Sequence, residues 1–414
     1  MSQTIIHGTV APGFETVKTE FEKNFTQRGE LGAACAIYHR GQKVVDLWGG
    51  LRDETTPAPW QEDTLVLVFS TSKGVSALTI ALAHSRGLLD YEEKVATYWP
   101  EFAQNGKETI TVRQLLAHQA GLCAIDEPLP LETLADLDAM AEIIAKQKPA
   151  WKPGTHSGYH CWSLGWYQNE LIRRVDPQQR SLGQFFQEEI AQPLGIEFYI
   201  GLPTSVPDHR IATIKGIDNP LQILRNVDKM PPKFLLSFLN PNSLTVRTMG
   251  NPKVLYKHDN MNQREVRAVE VPSGNGIGQA RALAKLYSEF ATGGHQLNLN
   301  PETLAALSAP AVPPALGTYD KVLKAKMAFS LGFWKPAPYA DYTPFGSSTK
   351  AFGFAGAGGS FAFADPEAQV GFAYAMNKVG GYMWDDPREK SLRDAFYRSL
   401  AAAQAGQPLA NMAA

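Results

Sequence analysis

Phe69-Ser70-Thr71-Ser72-Lys73-Gly74 is the stretch on which the reading of this chain turns. After Ser72 the apolar residues Val75, Leu78 and Leu82 recur at spacings of three and four, the pattern of a buried helix face. Gly87 stands at a natural stop for that helix. Ser70 and Lys73 therefore lie one turn apart on one face at a helix start, within reach of a hydrogen bond. A serine hydroxyl becomes a nucleophile when a neighbouring base takes its proton. A lysine can be that base if desolvation or nearby positive charge lowers its pKa. The helix N-terminus favours an anion beside Ser70. By itself, Ser-x-x-Lys is a weak signal and more often describes an N-cap serine next to a solvated lysine.

Outward from this helix the pattern mixes α and β. Gly32–Tyr38 and Val44–Trp48, joined through His39-Arg40-Gly41-Gln42-Lys43, read as a β-hairpin. Between about 95 and 270 prolines are frequent; helices are expected over Val112–His118 and Leu134–Ala145, and a Pro-rich loop around Met230-Pro231-Pro232. Further on come a helix over Ala280–Thr292 ending at Gly293-Gly294, strands over Phe361–Asp365 and Val370–Met376, and a last helix from about Pro387 to Ala403. Strands near both ends with helices between them predict one sheet built from both termini and a helical middle.

Composition excludes several classes of function. The 414 residues suffice for a large core, and 44% hydrophobic against 19% charged residues is ordinary for a globular enzyme. A net charge of −2 gives no electrostatic basis for binding nucleic acid. No apolar run is long enough to span a membrane and the first residues carry no secretory pattern, so the expected location is cytoplasmic. Cys35, Cys123 and Cys161 are odd in number and widely spaced, forming neither a disulfide framework nor a zinc pattern. No metal motif appears: His156 and His160 stand four apart without acidic partners. No cofactor is expected, and oligomeric state is not legible.

Two further stretches carry chemistry. In Pro153-Gly154-Thr155-His156-Ser157-Gly158-Tyr159-His160-Cys161, the Pro-Gly turn lets a loop deliver Tyr159 to a site. A phenol held between cations ionises more readily and can act as a general base; the alternative is a packed tyrosine with a satisfied hydroxyl. In Phe352–Ser360, four glycines among nine residues let backbone N–H groups approach a ligand, as in an oxyanion hole; a tight turn or bulge is the alternative. Gly358-Gly359-Ser360-Phe361-Ala362 ends in Ala, not the Gly of a nucleophile elbow, so Ser360 reads as structural. His118 reads as packing, and no His–acid pair accompanies Ser70.

The order of these motifs resembles that of the serine β-lactamase and penicillin-binding-protein superfamily, and most closely the family VIII carboxylesterases. Besides Ser70–Lys73, the resemblance rests on Gly87-Leu88-Leu89-Asp90, Tyr98-Trp99-Pro100-Glu101-Phe102 and Leu115–Leu122, then on Pro153-Gly154-Thr155 before Tyr159-His160, and on Gly358–Pro366 followed by Met376-Asn377. It covers about residues 30 to 400. It implies an α+β, β-lactamase/DD-peptidase-like fold: an antiparallel sheet flanked by helices from 1–95 and 271–414, a mostly helical domain over 96–270, and the site between. It further implies a small-molecule ester as substrate, acylation of Ser70, proton transfer shared by Lys73 and Tyr159, and an oxyanion hole from the N–H groups of Ser70 and Ala357. Phe354, Gly356 and His160 would line the substrate pocket.

Two departures bear on substrate. Cys161 stands where β-lactamases of this class carry Asn, and Phe354-Ala355-Gly356 replaces their Lys-Thr-Gly. Both weigh against β-lactam hydrolysis and towards neutral esters. An amidase, peptidase, acyltransferase or β-lactamase on the same acyl-enzyme, or a binding module without turnover, are the alternatives.

Overall fold

The expected hairpin forms and belongs to the main sheet. In the computed structural model, which describes residues 5–217 and 230–405, strands β2 (Gly32–His39) and β3 (Gln42–Asp53) pair antiparallel through Arg40-Gly41. Both turn residues have positive φ, which Gly41 accommodates without strain. Strand β1 (Ile6–Val10) covers the far side of β3, and Ala58-Pro59 (β4) adds a short edge pairing. Three two-residue strands, β5 (Val66–Leu67), β6 (Phe198–Tyr199) and β7 (Ile277–Gly278), form a separate small sheet in the order β5-β7-β6.

The C-terminal half completes the main sheet with β8 (Phe329–Ser330), β9 (Phe333–Trp334), β10 (Phe352–Ala355), β11 (Phe361–Asp365) and β12 (Val370–Met376). The order across this nine-stranded antiparallel sheet is β1-β3-β2-β12-β11-β10-β9-β8, with β4 beside β3. Pairing of β12 with β2 (Ala373 opposite Ala36) joins the two ends of the chain. Strand β12 is buried at all seven positions, because helices cover both faces.

Five helices matter for the site: α1 (Glu15–Thr26), α2 (Thr71–Ser85), α3 (Ser163–Val175), α4 (Ala280–Ala291) and α5 (Pro387–Gln404). α1 packs on α5, and α4 lies on β2, β11 and β12. α2 is buried over almost its whole length between α3 and β10, as its apolar pattern requires. Gly74 makes that close approach possible: a Cβ there would fall 1.8 Å from the Tyr287 hydroxyl of α4.

The middle segment holds short helices and differs from expectation in three places. The run 134–145 is two helices, Leu131–Ala135 and Leu137–Lys146, because Asp136 leaves helical geometry and caps the second through the Asp138 and Ala139 N–H groups. The helix expected to reach His118 ends at Leu116, and His118 adopts φ +60°. Pro232 opens a helix, Pro232–Ser237, rather than sitting within a loop, since a proline at the first helical position loses no hydrogen bond. Among the described helices none is long and apolar enough to cross a membrane.

Candidate active site

Ser70 sits at the end of a strained turn. Phe69 has φ +48°, a left-handed conformation that a bulky residue rarely adopts, and Ser70 directly precedes α2 as its N-cap. The Ser72 hydroxyl accepts from the Gly276 N–H (2.8 Å) and donates to the Phe69 carbonyl (2.5 Å), pinning this turn. Ser70 is left as the partly exposed hydroxyl at the helix mouth.

One turn on, Lys73 has no solvent exposure. Its Nζ lies 3.2 Å from Ser70 Oγ, 2.5 Å from the Cys161 carbonyl and 2.8 Å from the Ser273 carbonyl. Burial pulls its pKa from 10.5 down to about 7, with Cys161 opposing weakly. A neutral Lys73 gives its two N–H bonds to the two carbonyls, which leaves the nitrogen lone pair for the Ser70 O–H. The amine also stands 4.9 Å from the Tyr159 ring centroid and 5.7 Å from that of Phe354.

Tyr159 donates its hydroxyl to Ser70 Oγ at 2.7 Å. The expected easing of its ionisation is absent. Burial, first, and Cys161 push the phenol well above 10, and the hydrogen bond to Ser70 offsets only part of this. One amine faces the ring, itself with a pKa near 7, rather than a pair of cations. Near neutral pH Tyr159 therefore keeps its proton, whereas Lys73 can lose one.

The glycine-rich stretch forms the opposite wall. After β10, Ala357–Gly359 makes a tight turn in which Gly358 (φ +86°) and Gly359 (φ +116°) take conformations reserved for glycine. Gly356 donates to the Ser360 carbonyl at 2.7 Å, and a Cβ on it would lie 2.3 Å from the Val68 carbonyl. The turn thus rests on the strand-to-helix entry that presents Ser70. Ser360 Oγ donates to that same Val68 carbonyl (2.8 Å) and lies 3.0 Å from Thr71 Oγ1, a structural role. On the other side, buried Arg388 donates to the Gly358 carbonyl and pairs with Asp386 (2.8 Å) and Glu30 (3.1 Å).

The residues expected to line a pocket separate into two groups. Gly356 is partly exposed and Ala357 exposed, and Cys161 and Trp162 are also partly exposed. Phe354 and His160 have no exposed surface. Phe354 stacks on Tyr159 (centroids 6.1 Å apart) and packs against Phe329 and Trp334, as a platform beneath the phenol rather than a surface for substrate. His160 is bonded to His118, Nδ1 to Nδ1 at 3.1 Å, and accepts from the Leu122 N–H. Sequence reasoning missed Ser273, which lies 200 residues from Lys73 and acts through its backbone, so its side-chain type carried no signal. Cys161 was noticed as a departure, but its contribution too is a carbonyl.

The β-lactamase family profile matches residues 19–395, and the chain belongs to that family. Esterase/β-lactamase LipL of Mycobacterium tuberculosis is 33% identical over 383 residues, covering 90% of this chain and 83% of LipL. A crystal structure of a family VIII carboxylesterase superposes with a TM-score of 0.82 at 35% identity, covering 95% of this chain and 100% of that one. A penicillin-binding-protein homologue from Caulobacter crescentus gives 0.80 at 35% identity over the same shares.

Proposed function

We propose that the chain is a carboxylesterase that cleaves small, uncharged esters through an acyl-enzyme on Ser70. The observation that carries this reading is the double contact of Ser70 Oγ, with an amine of pKa about 7 on one side and a phenol donor on the other. The esterases among its relatives agree with it.

In acylation the Ser70 oxygen attacks the ester carbonyl carbon while its proton passes to Lys73 Nζ. The oxyanion lies between the Ser70 and Ala357 N–H groups, where each donor contributes about 3–4 kcal/mol to the transition state. Collapse breaks the bond to the alcohol oxygen, which takes a proton from the Tyr159 hydroxyl, itself replenished from Lys73. Water then attacks the acyl carbon, gives up a proton along the same route, and releases the acid and free Ser70. The two carbonyls on Lys73 stabilise its protonated state during the reaction without fixing the charge beforehand.

Substrate preference follows from what the pocket lacks. Phe354 stands where β-lactamases of this class carry the Lys of Lys-Thr-Gly, so a β-lactam carboxylate would lack that partner and be desolvated with less compensation than a neutral ester. On one preparation, kcat/KM for short-chain p-nitrophenyl esters should far exceed that for cephalosporins, and a fluorophosphonate should label Ser70 in wild type and nothing in Ser70→Ala. Labelling at Ser72 or Ser360 would remove the nucleophile assignment. Equal turnover of both substrate classes would remove the esterase reading.

A further inference from the structure

His118 and its neighbours enclose Tyr159 in an arrangement that the reaction scheme does not use. The His118 carbonyl accepts from the Gly158 N–H at 3.0 Å, and His118 Nδ1 accepts from the His160 N–H at 2.9 Å. One residue thus holds the N–H groups of both residues that flank Tyr159, with its ring nitrogen standing in for a second carbonyl. The ring also packs 5.3 Å from the Tyr159 ring and 4.3 Å from Phe329, which itself stacks on Tyr159.

Hydrogen bonding defines the tautomers. Leu122 donates to His160 Nε2, so the His160 proton is on Nδ1 and points at His118 Nδ1. His118 Nδ1 must then be an acceptor, and its proton is on Nε2, a buried atom with no partner among the described residues. Burial, with His160 and Lys73 nearby, holds His118 well below 6.5, and burial holds His160 at about 3, so both rings stay neutral. Two costs are sustained at this residue, a positive φ on a non-glycine and a buried N–H without a partner. Simple packing would require neither.

We infer that His118 is a positioning residue that holds the Tyr159 hydroxyl on Ser70 by clasping the backbone on either side of it through its carbonyl and Nδ1. This rests on the proton-donating role of Tyr159. Asn places an acceptor where Nδ1 stands, Gln places one nearer Nε2, and Leu has neither, which gives the test its arms.

Each variant is to be made in wild type and in Tyr159→Phe, with kcat and KM measured on p-nitrophenyl acetate and folding checked by circular dichroism. His118→Leu and His118→Gln should lower kcat by about 10²-fold with KM little changed, and His118→Asn should recover to within about tenfold of wild type. In Tyr159→Phe the Leu and Gln penalties should shrink to about twofold, because the hydroxyl they misplace is gone. Penalties of equal size in both backgrounds, or Gln recovering as well as Asn, would overturn the proposal. Should Leu fail to fold, the Asn–Gln pair decides alone. Full activity in Tyr159→Phe itself would remove the role of Tyr159 and the proposal with it, and that result is read from the single variant.

Discussion

Lys73 and Lys107 are buried in much the same way and differ in one partner. Both lack solvent exposure and hold Nζ near an aromatic ring, Tyr159 for one and Phe102 for the other. Lys107 donates to three carbonyls, those of Gln104, Ala145 and Gln147, at 2.8–2.9 Å. Every N–H of its ammonium is used, and two of those acceptors lie at the C-terminal end of the helix Leu137–Lys146. Lys73 has two carbonyls, and in the third place is the Ser70 hydroxyl. Burial lowers both amines, Lys107 to about 8 and Lys73 to about 7. On the proposed mechanism, what separates a structural cation from a base is the third partner: a carbonyl can only receive a proton's bond, whereas a hydroxyl can give its proton up.

The strongest test of this comparison substitutes each lysine by Met. Lys73→Met should slow acylation by about 10⁴-fold, at the upper end for a general base. Lys107→Met should leave the acylation rate of the folded protein unchanged. Stability should divide the other way. Lys107→Met strands three carbonyls and should cost about 3 kcal/mol. Lys73→Met strands two carbonyls rather than three, so its cost should be smaller. Stopped-flow acylation and urea unfolding of the three proteins read both quantities. A Lys107 variant that slows chemistry as much as the Lys73 variant would break the comparison.

The contrast between the two lysines was only partly legible in the sequence. Ser70 and Lys73 could be placed together because the helical repeat Val75-Leu78-Leu82 settles their separation, and local periodicity survives folding. The strands at both ends, α4 and α5 could be placed for the same reason. Tyr159 could be singled out by its Pro-Gly turn and its place in the motif order, but its protonation could not, because that depends on burial by Phe329 and Phe354 from distant strands. The carbonyl of Ser273 carries no side-chain signal at all. His118 read as packing because its sequence context is Leu115-Leu116-Ala117, while its clasp on Gly158 and His160 is a contact across about forty residues. Strands as short as β8 and β9 leave too few residues for a period of two to show.

A smaller effect is expected at Phe354, the platform of the site. Its ring lies between Tyr159 and Trp334 and faces Lys73, so Phe354→Leu removes aromatic stacking of about 1 kcal/mol and loosens the phenol. The variant should keep fluorophosphonate labelling at Ser70, with kcat on p-nitrophenyl acetate reduced by about threefold to tenfold, and melt slightly lower. An unchanged kcat with a lower melting temperature would make Phe354 a core residue alone.

The most direct test of the central claim is the pH dependence of Ser70 acylation. Lys73 acts only when neutral, so the rate should rise through an ionisation near 7 and then stay level until far into the alkaline range, since Tyr159 keeps its proton well above 10. The measurement is the pre-steady-state burst of p-nitrophenol across pH 5 to 10 in wild type and Lys73→Met. The account predicts an acid limb centred near 7 in wild type, and in the variant a residual rate that lacks it. A limb centred near 10, or one near 7 that persists in Lys73→Met, would contradict the assignment of Lys73 as the base.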